Sequence, residues 1–129
     1  MNYTILSQYN LKFISITRNN VKYGCADTTK PENTLSIDLS YLFAEGYPDG
    51  YIKTILQNIH KAQNDIIFDP TDDGSPTFVS LEIGKINCHI RNIIRGTSAH
   101  QIPTEDLKQI LLSWNEFYET NKIQEVGIV

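Results

Sequence analysis

The strongest constraint in this sequence is a change of period. Between residues 77 and 92, Val79, Leu81 and Ile83 alternate with Ser80 and Glu82, and Ile86, Cys88 and Ile90 alternate with Asn87, His89 and Arg91. A spacing of two sends successive side chains to opposite faces, the mark of a half-buried strand. Gly84-Lys85 between the two runs suits a two-residue type II′ turn. It predicts a hairpin that pairs Ile83 with Ile86, Leu81 with Cys88 and Val79 with Ile90. Further on the period becomes helical: Leu107, Ile110, Leu111, Trp114, Phe117 and Tyr118 form one apolar stripe. Thr104 is the predicted cap, Glu105 and Asp106 place negative charge in the first turn, and the helix should stop near Asn121. Residues 122–129 are then a tail or a short final strand.

The remaining segments extend the same plan. Residues 11–18 are β-branched and aromatic, and Asn19-Asn20 follows them; asparagine tolerates positive φ, so the pair suits a type I′ turn. That turn sets Ile16 opposite Tyr23 and Ile14 opposite Cys25. Residues 27–33 read as loop. Leu35, Ile37 and Leu39 alternate with Ser36, Asp38 and Ser40 and predict a strand. After the break at residues 46–50, Ile52, Ile55, Leu56 and Ile59 recur at helical spacing through about Asn64, with Asp49 as the predicted N-cap and Lys61 in the last turn. The order hairpin, strand, helix, hairpin, helix predicts an α+β fold. Its antiparallel sheet is built from two hairpins plus a strand, with two amphipathic helices packed on one face. At 129 residues this is a single domain, 1–129.

Several function classes are excluded or disfavoured. The longest apolar runs, such as Tyr41-Leu42-Phe43-Ala44, fall far short of the ~20 residues that cross a bilayer. The first residues carry neither a basic stretch nor an apolar one, so no signal peptide is read and a cytoplasmic location is expected. Cys25 and Cys88 lack CxxC spacing and are expected to be reduced, buried thiols. The net charge is −4 and the pI about 5.2. Such a chain has no electrostatic reason to seek nucleic acid or an anionic membrane, and some reason to meet a basic partner.

The search for chemistry finds no catalytic signature, so an enzyme is not expected. His60, His89 and His100 form no chelating pair in sequence, and no metal or other cofactor is expected. The acidic run at residues 69–74 has the flavour of a calcium loop, but Ser80 stands where the twelfth-position glutamate would be needed. The glycines are dispersed and make no phosphate-binding loop, and Ser98 and His100 lack the setting of a nucleophile and its base. Two alternatives stay open: a pocket near the second hairpin assembled from Glu82, His89 and Arg91, serving small-molecule binding or catalysis, and a structural or assembly subunit, whose sign would be an extensive self-complementary apolar surface.

The closing stretch, Ile102-Pro103-Thr104-Glu105-Asp106-Leu107-Lys108-Gln109-Ile110-Leu111 and on to Trp114-Asn115-Glu116-Phe117-Tyr118, looks like the closing helix of some bacterial immunity proteins. The chain is similar in general character to these toxin-neutralising proteins, including those of contact-dependent inhibition. The resemblance spans about a quarter of the sequence and transfers no functional residue. It implies a cytoplasmic protein that binds one toxin, commonly a nuclease, and occludes its active site. Nucleases contact phosphates and carry basic surfaces, so an acidic partner gains association rate. The candidate partner-binding residues are Glu45, Asp49, Asp69, Asp72 and Asp73, in or beside turns, with Tyr47 and Tyr51 as exposed aromatic anchors.

Overall fold

A computed structural model describes residues 1–44, 47–69, 78–96 and 98–123. The fold is α+β, with five strands divided between two antiparallel sheets rather than joined in one. The first sheet is the hairpin of β1 (Leu11–Arg18) and β2 (Val21–Thr28). Asn19 and Asn20 turn it at φ 51° and 63°, the left-handed pair that a type I′ turn requires. Ile16 faces Tyr23 and Ile14 faces Cys25, as the sequence predicts, and β2 runs two residues into the expected loop. A short helix the sequence did not announce, α1 (Tyr3–Gln8), precedes the hairpin; Asn2 caps it by accepting from the Ile5 amide at 3.1 Å.

The expected strand at residues 35–39 is a helix, α2 (Thr34–Leu42). Leu35, Leu39 and Leu42 also stand at i, i+4 and i+7, and Asn33 caps the N-terminus by accepting from the Ser36 amide at 3.2 Å. The positions that a strand would turn to solvent are buried here and bonded. The Ser36 hydroxyl donates to the Asn10 carbonyl at 2.9 Å and lies 2.6 Å from the Thr28 hydroxyl. Asp38 is fully buried, with His100 Nε2 at 3.5 Å and Arg95 at 4.0 Å.

Helix α3 (Tyr51–Gln63) is where the apolar periodicity places it, but Gly50 holds the N-cap position and no side chain caps it, Asp49 included. The second sheet runs β3 (Val79–Ile83), β4 (Asn87–Asn92) and β5 (His100–Pro103) in that order, and β5 is a strand the sequence did not announce. The β3–β4 register is displaced by two residues from the sequence expectation: Val79 faces Asn92, Leu81 faces Ile90 and Ile83 faces Cys88. Displacement by two keeps every side chain on its face, so Val79, Leu81, Cys88 and Ile90 stay buried while Ile86 moves out into the wider loop. Thr104 holds that loop open. Its hydroxyl donates to the Gly84 carbonyl at 2.6 Å and its amide to the Ile86 carbonyl at 2.8 Å. Thr104 is therefore the first residue of α4 (Thr104–Thr120) and not its cap, a position that Pro103 occupies.

One face of the three-stranded sheet is covered by α2, α3 and α4, while Ser80, Glu82, His89, Arg91 and Gln101 point into solvent from the other. The whole predicted stripe of α4 is buried. Trp114 sits at the centre, its ring 4.9 Å from Phe13, 4.7 Å from Phe43 and 5.0 Å from Tyr118, so three elements meet on one indole. Tyr118 also closes on β2: a Cβ on Gly24 would lie 2.6 Å from its ring, so only glycine permits the approach. Cys88 is buried and Cys25 half-buried, and both are free thiols.

Candidate functional site

Helix α3 separates the predicted partner-binding residues. Asp49 precedes its first turn and Asp69 lies beyond its last, and thirteen helical residues span about 20 Å. Both carboxylates are exposed, at opposite ends. Glu45, Asp72 and Asp73 lie outside the described residues.

The two tyrosines are not exposed anchors. Tyr47 is half-buried and stands edge-on against Tyr118, with ring centroids 6.4 Å apart. Tyr51 is half-buried, and its hydroxyl donates to the carbonyls of Leu42 and Ala44.

Exposed apolar surface appears elsewhere, at the exit from α3. The helix ends in a Schellman motif in which Asp65 takes φ 56°, its amide donating to the Ala62 carbonyl and the Ile66 amide to the Lys61 carbonyl at 2.8 Å. The motif throws the chain outward, leaving Ile66 48% and Ile67 96% exposed. Lys85, in the β3–β4 loop, reaches Asp65 at 2.8 Å, so the neighbouring Ile86, 70% exposed, belongs to the same end of the molecule. Burying an isoleucine side chain is worth roughly 1.5–3 kcal/mol, which this corner leaves unused in the isolated chain. Acidic Asp65 and Asp69 flank the two isoleucines, and Asp72 and Asp73 follow in sequence. A second exposed pair, Ile93 and Ile94, leaves the far end of β4 and is not part of this corner.

A cleft of about 1130 Å³ opens between α3 and α4. The helices run antiparallel there: Gln63 at the end of α3 donates to Glu105 at the start of α4, while the start of α3 lies beside the end of α4. Lys53, Leu56, Gln57, His60 and Lys61 share one stripe of α3 at i, i+3, i+4, i+7 and i+8, and they form one wall. That spacing was the sequence signal for the cleft, masked by the apolar stripe beside it. The alternative pocket at Glu82, His89 and Arg91 does not form where it was expected, because those side chains leave an open strand face.

The remaining chemistry is structural. Burial pushes the Cys88 thiol up, against hydrogen bonds with the Thr104 hydroxyl and the Gly84 backbone that lower it, so burial favours the protonated thiol. Among the described residues, no three His, Cys, Asp or Glu side chains converge as a metal site would need. No described helix is long and apolar enough to cross a membrane. In comparisons with known proteins, no family model matches this chain, and no curated protein or solved structure matches it.

Proposed function

We propose that this chain is an immunity protein that acts in the cytoplasm without catalysis, binding a cognate bacterial toxin with a basic surface and occluding its active site. The observation that carries the reading is the corner at the exit of α3, where fully solvated Ile67 stands with Ile66 between Asp65 and Asp69. Protein interfaces combine a small apolar centre with a polar rim; here Asp65 is paired with Lys85, and the Asp69 carboxylate is the rim acid that favours a basic partner. The net charge of −4 works in the same direction over longer range, raising the encounter rate with a nuclease whose surface is built to meet phosphates. The amphipathic α4, whose sequence resembles the closing helix of such proteins, supplies the rigid core behind the corner.

Three isoleucines alone do not make a tight complex. A standard interface buries about 1,600 Å² in total, and association must first offset several kcal/mol of lost rigid-body freedom. A docking surface centred on this corner therefore has to extend beyond the three isoleucines.

The decisive test is co-expression of the chain with the product of the neighbouring gene, followed by co-purification and a toxicity assay. A 1:1 complex and rescued growth support the proposal. Turnover of a metabolite by the isolated chain, with no protein partner recovered, overturns it.

A further inference from the structure

The cleft between α3 and α4 has a chemistry opposite to that of the molecule as a whole. Three lysines line it, Lys53 and Lys61 from α3 and Lys122 from the end of α4, against the two carboxylates of Asp49 and Glu119. Among the described residues none of the three ammonium groups makes an ion pair or a hydrogen bond. The chain has no shortage of acids to pair with them: 15 acidic residues stand against 11 basic ones. Between the lysines, Leu56, Tyr118 and Ile123 give the cleft an apolar lining.

Two further observations point to an occupant. Asn115 lines the same cleft, and its carboxamide oxygen is buried with no hydrogen-bond partner among the described residues. A buried acceptor left unpaired costs about 1–3 kcal/mol, and rotation of the Asn115 side chain toward the cleft would let a ligand donor remove that cost. Lys122 occupies the left-handed position of a Schellman motif, at φ 52°, where its amide donates to the Glu119 carbonyl and the Ile123 amide to the Tyr118 carbonyl. Glycine takes that conformation without strain, whereas a lysine there brings a cation to the rim.

We infer that this cleft binds a small amphipathic organic anion, a carboxylate, sulfonate or phosphate carried on an apolar or aromatic body with one hydrogen-bond donor. The lysines receive the anionic head, Leu56 and Ile123 the body, and Asn115 the donor. The site is distinct from the isoleucine corner and does not depend on the toxin-binding reading.

The probe is 8-anilinonaphthalene-1-sulfonate, which has an anionic head, an aromatic body and one N–H. Titrated into the full chain, it should bind saturably at one site and shift backbone amide NMR signals of residues 53–61 and 115–123. The Lys53→Gln/Lys61→Gln/Lys122→Gln variant should bind it at least tenfold more weakly while keeping the wild-type melting temperature. The uncharged parent, N-phenyl-1-naphthylamine, should also bind at least tenfold more weakly to wild type. Equal affinity in the triple variant, equal affinity for the uncharged parent, or shifts confined to other elements would overturn the inference. So would tighter binding of polyglutamate at the same residues, which would make an acidic polypeptide the occupant instead.

Discussion

The Tyr9 hydroxyl donates to Asp106 Oδ2 across 2.5 Å, tying the end of α1 to the first turn of α4 over 97 residues of chain. Burial first, then the hydrogen bond to Asp106 and its negative charge, push the Tyr9 hydroxyl well above its ordinary value of 10.0. In the unfolded chain tyrosine ionises near that ordinary value. The contribution to stability is thus fully present below about pH 10 and is lost as pH rises beyond it. Tyr9→Phe should lower stability by about 1–2 kcal/mol at pH 7, because Asp106 loses a donor. The gap from wild type should narrow above pH 10. Urea unfolding at pH 7 and pH 10.5 measures both, and a gap that does not change with pH would disprove the linkage.

Trp114 is completely buried at the meeting point of β1, α2's C-terminal turn and α4. Trp114→Ala should cost on the order of 3–5 kcal/mol, since the surrounding rings come from separate elements and cannot all collapse into the space. Chemical denaturation read by circular dichroism tests this. A loss under about 1 kcal/mol would mean that the three elements do not share a core.

The features legible in the sequence were those set by local periodicity joined to a turn or an uninterrupted stripe. Asn19-Asn20 fixed one register because both residues accept positive φ, and the α4 stripe admitted one reading over three turns. At residues 35–39 the same leucines satisfy two periods, and the decision rests on Asn33 as a cap and on distant partners for Ser36 and Asp38. Those partners, Asn10, Arg95 and His100, are invisible to a local window. The second hairpin forms, but its register was misread for a similar reason: β5 and Thr104 compete for the loop, and only the tertiary structure shows them. Of the candidate site, acidic Asp49 and Asp69 are on the surface as read, while Tyr47 and Tyr51 had aromatic and backbone partners no pattern could reveal.

Gly84 makes the register displacement testable. A Cβ there would lie 2.5 Å from the Asn87 carbonyl oxygen, a backbone atom that a side-chain rotation cannot move. Gly84→Ala should therefore destabilise by about 1–3 kcal/mol as the loop is forced to shift. Because the Gly84 carbonyl accepts from Thr104, amide exchange at the start of α4 should quicken in the variant as well. A variant as stable as wild type would favour the narrower two-residue turn.

Ile67 and the acidic residues after it separate two contributions to partner binding. Ile67 is so fully solvated that Ile67→Ser should leave the melting temperature unchanged, yet remove apolar surface that the proposed complex would bury. The expected loss is about 2 kcal/mol, roughly thirtyfold in affinity and chiefly in the dissociation rate. Replacing Asp69, Asp72 and Asp73 together by Asn should act on the association rate instead. That effect should fade at high salt, because steering is screened beyond a Debye length of about 8 Å at physiological ionic strength. Asparagine keeps the side-chain size, so the comparison is with a folded protein. On the proposed function, surface plasmon resonance against a toxin recovered with the chain, at low and high salt, reads both rates. If Ile67→Ser and the triple variant both bind as fast and as tightly as wild type, the contact lies on another face and the corner at the end of α3 is not the docking site.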